Sequence, residues 1–374
     1  MKFLVASDSF KDSLSAYEVG EAARQGILSA VPDAGVENSP MADGGEGTID
    51  ALLACMEGKE KEVVVHDPLM NRITASYVVL EEDSVFIESA RSSGLPLVPF
   101  EYRDPMKTNT YGLGEQIRDA VQSGYRNIVI SLGGSATNDG GVGMLQALGW
   151  KFHDRDGDLV GNEENPMLKV ASFSDDDRLP GLGQCTFTIA SDVTNPFYGL
   201  QGAAHIFGKQ KGATDRDIIQ LDKSLADLAE LFEKAYGINL QQVAGAGAAG
   251  GLGGGIAAGL KGVIQSGVET IAKLTNLEEK VAEADVIFTG EGSLDKQSLM
   301  GKVPVGVAKL AKKHGKKVIG IAGRVDTDLR EVNQYLDAVF SIQTECRSLE
   351  EALSKEVSSE QVRVTVEQVV RLIK

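Results

Sequence analysis

The chain is 374 residues long with only three cysteines, Cys55, Cys185 and Cys346, odd in number and far apart. They make neither a CxxC pair nor a disulfide framework, which excludes a disulfide-stapled fold and fits a reducing cytoplasm. Histidine is scarce as well: His66, His153, His205 and His314 are scattered without the spacing of a zinc site. Basic residues are in deficit, 37 Lys and Arg against 54 Asp and Glu, and the net charge of −17 argues against DNA, RNA or an acidic membrane as partner. Long hydrophobic runs are missing. The opening MKFLVASDSFKDS has a few apolar residues before Asp8, which suits a first strand and not a signal peptide. Residues 243–264 lack acids but run on Ala and Gly, and Lys261 interrupts them, so they fall short of a membrane span. Three catalytic signatures are absent too. There is no GxxxxGK(S/T) phosphate loop, because Gly301 and Lys302 precede Val303, no DFG and no GxSxG nucleophile elbow.

What is present is glycine, 43 residues gathered in a few loops with no fixed period. Such loops suit close approach of backbone to backbone or to a ligand. The most informative is IVISLGGSATNDGG at 128–141. Ile128, Val129 and Ile130 form a β-branched run of the kind buried on both faces of a parallel sheet, Gly133 and Gly134 end it, and a helix follows from Gly140. Four other places repeat the plan of strand, then glycine, hydroxyl or amide residues with a carboxylate, then helix. The five loops centre on Asp8, Asp43, Asp139, Asp192 and Glu291. At the carboxyl edge of an α/β sheet such loops meet ligands, and a helix start there attracts an anion. Carboxylates gathered on one edge repel one another unless a cation balances them, and Mg²⁺ held with phosphates is the simplest balance. Lys11, Lys209, Lys211 and Lys302 offer further positive charge. Each loop taken alone also suits a tight turn with a helix cap.

In chain order, strands are expected at 2–7, near Val36, at 63–66, 73–80 and 85–87, at 128–130, 186–190, 285–288, 317–322 and 338–342. The three between 63 and 87 read as antiparallel. Helices are expected at 17–30, from Thr108 or Thr110 to Ser123, at 215–236, 305–314 and 359–374. Residues 151–184 have little periodicity and read as peripheral. The glycines at 245–255 include a GxGxxG match, GAGAAG, but no clear strand precedes it; a loop around a nucleotide or a close helix contact suits it better than a dinucleotide fingerprint. The expected architecture is α/β with two domains. A flavodoxin-like or Rossmann-like parallel-sheet domain is built from both chain ends, 1–70 and 286–374, and an inserted mixed α/β domain spans 71–285, with the active site between the two.

The motifs ASDSFKDSLSA, PMADGGEGT, TNTYGLGE, LGGSATNDGG, SDVTNP with FGKQKGA, GAGAAGGLG and TGEGSLDKQS with GKVP closely resemble the bacterial glycerate kinase type 1 family, from Ala6 to at least Pro304. Asp12 stands where that pattern has a glycine, and Lys209 where it has a proline. The resemblance implies ATP-dependent, Mg²⁺-requiring phosphorylation of D-glycerate in the cytoplasm, with 2-phosphoglycerate favoured over 3-phosphoglycerate as product. Its partners are then small molecules only, and a homodimer is left open. On motif position, Gly133, Gly134, Ser135, Asn138, Asp139, Gly250 and Gly251 are assigned to the nucleotide, and Asp139 and Glu291 to the metal. Asp8, Ser9, Asn195, Glu291 and Asp295 are assigned to glycerate. Asp192, Lys11 and Asp43 are the catalytic candidates, Asp192 as base, with a metal-binding or substrate-binding role for Asp192 equally open. Two rival functions are kept: an NAD(P)-dependent hydroxy-acid dehydrogenase, and a non-catalytic two-lobed binding protein.

Overall fold

Strands form where β-branched and aromatic residues run together, and they follow in chain order as β1 (Lys2–Val5), β2 (Gly35–Asn38), β3 (Lys59–His66), β4 (Arg72–Glu81), β5 (Ser84–Glu88), β6 (Asn127–Ser131), β7 (Lys151–His153), β8 (Ser172–Ser174), β9 (Thr186–Ala190), β10 (Val263–Gln265), β11 (Val286–Leu294), β12 (Lys317–Val325) and β13 (Ala338–Ser341). The computed structural model describes residues 1–56, 58–81, 83–295 and 301–374. Two compact units divide the chain: Met1–Asp43, Asp50–Glu57 and Ser266–Lys374 make the first, and Gly44–Ile49 with Gly58–Gln265 the second.

The first unit is a five-stranded, all-parallel sheet in the order β13-β12-β11-β1-β2. Numbered within the unit, that order is 2-1-3-4-5, the doubly wound flavodoxin-like arrangement, whose topological switch point falls between β1 and β11. Phe3, Val5, Phe288 and Ile321 fill its core together with Val19 and Ile27 of helix Ala16–Ala30 and Val362 and Val366 of helix Lys355–Ile373. The first of these helices is started by a capping box, in which the Glu18 amide donates to Ser15 Oγ (3.2 Å) and the Ser15 amide to Glu18 Oε2 (2.8 Å).

The second unit carries a six-stranded mixed sheet in the order β10-β9-β6-β5-β4-β3. β10, β9, β6 and β5 are parallel, whereas β3 and β4 are antiparallel additions at the edge. The strand at 84–88 was expected to be antiparallel and is so only towards β4; its other neighbour, β6, runs parallel, so β5 joins the two halves of the sheet. The unit boundaries also differ from those expected. β3 pairs along its length with β4 and belongs to the second unit, while Ser266 onward, including the helices Gly267–Leu274 and Leu277–Glu283, belongs to the first. Residues 151–184 are not peripheral. They fold as a small β7–β8 ribbon, and Phe152, Val160, Met167 and Leu182 are buried in the main core of this unit.

Candidate active site

In the first unit the acidic residues collect at the switch point. Asp8 leaves β1 with its amide donating to Gly290 O (2.9 Å) in β11, and its own Oδ1 accepts from the Ser9 amide (2.7 Å). Glu291 follows Gly290 in β11, only 5% exposed, and its Oε2 accepts from Lys302 Nζ at 3.0 Å. Burial pushes the Asp8 carboxyl up to about 7; Asp43 adds to the rise, as does Glu291, against the Ser9 amide that lowers it. Burial pulls Lys302 down, but Glu291, then Asp295 and Asp43, outweigh it and leave the ammonium above its usual pKa. One lysine therefore feels three carboxylates. Lys11 is exposed on the turn after Asp8.

In the second unit two glycine loops press together. The Gly133 amide donates to Gly44 O (3.2 Å), and a Cβ on Gly133 would lie 2.2 Å from the Gly45 Cα, so no larger residue fits there. Glu88, 2% exposed at the end of β5, accepts from the amides of Gly47 (3.1 Å) and Ile49 (3.0 Å) and so closes the start of helix Thr48–Cys55. Beyond Gly133, the carbonyls of 134, 136, 137 and 138 are all turned onto protein donors: Leu95 N (2.8 Å), Thr108 Oγ1 (3.0 Å), Lys211 Nζ (2.7 Å) and Asn165 Nδ2 (3.0 Å). Such a loop keeps its negative oxygens inward, which favours an anion outside it. Asp192 stands just past β9, half-buried.

The donor set at the switch point, carboxylate oxygens in excess over cations, suits a hard cation such as Mg²⁺. That ion commonly takes one or two carboxylates and completes its shell with water and substrate phosphates. Among the described residues, no three His, Cys, Asp or Glu side chains are grouped closely enough to hold a metal on their own.

A family model described as the glycerate kinase family matches residues 3–374. The chain is 45% identical over 354 residues to the glycerate 2-kinase of Escherichia coli (strain K12), covering 94% of this chain and 93% of that protein. It is 40% identical over 354 residues to the glycerate kinase of Bacillus subtilis (strain 168), with the same coverage of each chain. The chain belongs to the glycerate kinase family. The fold agrees: a protein assigned as glycerate kinase 2 in Salmonella typhimurium LT2 has a crystal structure that matches with a TM-score of 0.87 at 42% identity, over 100% of this chain and 98% of the other.

For a member of the glycerate kinase family, the five acidic loops then divide in an unexpected way. They lie on two sheets, Asp8, Asp43 and Glu291 in the first unit and Asp139 and Asp192 in the second, and not on one edge. Asp139 as a metal ligand does not fit. It is fully buried, Oδ2 accepts from the Thr110 amide and hydroxyl (2.8 Å each) and the Gly143 amide (3.1 Å), and Oδ1 accepts from the Gly141 amide (3.1 Å). Burial raises its pKa against those donors, and the side chain knots the starts of helices Tyr111–Gln122 and Val142–Ala147 together. Gly250 and Gly251 likewise face protein. A Cβ on Gly250 would lie 2.1 Å from Thr137 O, and one on Gly251 would meet Leu225 and Phe197, so the glycine run makes a close packing contact. Asn195 Nδ2 donates to Gln201 O (2.9 Å).

Ser135 is 7% exposed and Asn138 fully buried, and neither polar atom of the Asn138 side chain has a partner among the described residues. Asp295 is half-buried just past β11, and residues 296–298 of the TGEGSLDKQS motif lie outside the described residues. Asp12 has φ of 64°, in the left-handed region that explains the glycine of the family pattern. Lys209 opens a short helical turn, Lys209–Lys211, and makes an exposed pair with Asp215 (3.0 Å). Sequence reasoning missed Glu88, whose signal was an acid directly after the apolar run Val85–Ile87, and it left Lys211 among several unassigned lysines.

Proposed function

We propose that this enzyme transfers the γ-phosphoryl group of ATP to the 2-hydroxyl of D-glycerate, with Mg²⁺, in the cytoplasm. Family membership over residues 3–374, with a glycerate 2-kinase 45% identical, is the observation that supports it most. In this reading loop 133–138 receives the nucleotide phosphates and the Asp8, Asp43, Glu291 group serves the acceptor. Asp43 and Glu291 would hold Mg²⁺, which when bound screens the triphosphate charge. Asp8 takes the proton of the glycerate hydroxyl as the new O–P bond forms and the bond to the β-phosphate oxygen breaks, its electron pair leaving with ADP. Burial, Asp43 and Glu291 raise that carboxyl in the metal-free protein, and Mg²⁺ on those two residues would lower it again, into the range where it accepts a proton at neutral pH. Lys302 and Lys11 supply positive charge for the glycerate carboxylate and the moving phosphoryl group.

Asp192 keeps a second claim on the proton, because it stands directly past β9, where the sheet fixes its backbone. Asp8→Asn and Asp192→Asn separate the two: the base variant should lose about 10²–10⁴-fold in kcat and the other much less. A coupled ADP assay with a panel of small hydroxy acids tests the function itself. ADP release only with glycerate is expected. NAD(P)⁺ reduction without ADP would mark a dehydrogenase, and glycerate binding without turnover a binding protein.

A further inference from the structure

Lys211 is 2% exposed, and among the described residues its ammonium is paired with no carboxylate. Its ammonium reaches a segment more than seventy residues away, donating to Ser135 Oγ (2.8 Å) and Thr137 O (2.7 Å). Both acceptors belong to the glycine loop that follows β6. The turn that carries it is itself pinned, with the Lys211 amide donating to Gly208 O (3.0 Å) and the Ala213 amide also donating to Gly208 O (3.1 Å). A buried lysine tied to neutral oxygens costs stability that an apolar residue of the same length would not, so its retention calls for a role.

We propose that Lys211 is a positioning residue that holds loop 133–138 in its phosphate-receiving shape from the protein side. The inference rests on assigning that loop to the nucleotide. An anion site needs its carbonyl oxygens turned away from the ligand, and Lys211 holds the middle one, between those of Ala136 and Asn138 that Thr108 and Asn165 hold. The same ammonium fixes the Ser135 hydroxyl, leaving its proton to point elsewhere. Thr137 Oγ1 and both polar atoms of the Asn138 side chain lie fully buried without a partner among the described residues, as polar groups do where a ligand or a functional arrangement, not stability, selects them. At 2% exposure Lys211 acts through the loop and does not touch phosphate itself. Burial brings it down to about 7, against the pull of Asp139, and a neutral amine still has two protons for these two acceptors. The support therefore comes from donation more than from charge.

The test compares Lys211→Met, Ser135→Ala and Gly134→Ala by steady-state kinetics with MgATP and D-glycerate. Unfolding is followed through Trp150, the chain's one tryptophan, which lies in the core of the second unit. Lys211→Met should raise KM for ATP by about tenfold with KM for glycerate little changed, as expected for one or two lost hydrogen bonds to the loop. Ser135→Ala should move the same parameter less, and the double variant should fall short of the product of the two effects. Should Lys211→Met fail to fold, Ser135→Ala decides alone, and an unchanged KM for ATP there overturns the proposal. A folded Lys211→Met with wild-type KM for ATP also overturns it. Gly134→Ala, which strains the loop at φ of 72° without touching Lys211, checks the underlying assignment. If it too leaves KM for ATP unchanged, the nucleotide assignment fails; if it alone raises that KM, only the role of Lys211 fails.

Discussion

In the mechanism proposed above, Asp8 takes up the proton of the glycerate hydroxyl. Burial first, and then Asp43, lift its carboxyl to about 7 before any metal binds, and Mg²⁺ held by Asp43 and Glu291 would bring it down again. The acid limb of kcat/KM in the wild type should therefore lie below pH 7, and Asp8→Asn should remove that limb along with most of the rate; an unshifted limb in the variant would assign it to another group. Lys211 gives a stability effect of definite sign. Its folded pKa, about 7, lies below the ordinary lysine value, so its contribution is lost as pH falls through 7 and recovered as pH rises towards 10. Relative to Lys211→Met, the wild type should gain stability between pH 7 and 10 in denaturant titrations. Asp12 is a simpler case. At φ of 64° an alanine should cost about 1 kcal/mol relative to glycine, so Asp12→Gly should melt above Asp12→Ala.

At the scale of elements, the two terminal helices show how close packing is written in sequence. A Cβ on Gly26 of helix Ala16–Ala30 would lie 2.3 Å from the backbone carbonyl of Arg363 in helix Lys355–Ile373. Gly26→Ala should raise helix propensity yet destabilise the first unit by about 1–3 kcal/mol, because rigid backbone must move; a more stable variant would contradict this packing. The parallel strands were legible because burial demands apolar runs such as Phe3–Val5, buried on both faces, and Ile128–Ile130, buried on one face and half-buried on the other. Ser15 and Thr214 each cap a helix and are each followed three residues on by an acid that closes the box. Residues 151–184 were not legible, since short ribbons and single helical turns bury Phe152 and Met167 without setting up a period. Asp139 could not be told from a ligand either. An acid after a glycine turn reads alike whether it caps helices inward or meets a metal outward, and only its four donors decide.

For the whole molecule, a flavodoxin-like sheet is made from both chain ends and a mixed sheet is inserted between them in the chain, each with polar loops past its strands. Their chemistry differs: acids in excess on the first, inward carbonyls and a buried lysine on the second. That division predicts that loop variants of the second unit act on KM for ATP and acid variants of the first on kcat and KM for glycerate. The central claim, phosphorylation of glycerate at its 2-hydroxyl, is tested most directly by proton-coupled ³¹P NMR of the purified protein with MgATP and D-glycerate. The account predicts ADP together with a new phosphomonoester resonance split into a doublet by the single proton on C2. A triplet from the two protons on C3 would contradict the position of transfer, and no new ester at all would contradict the activity.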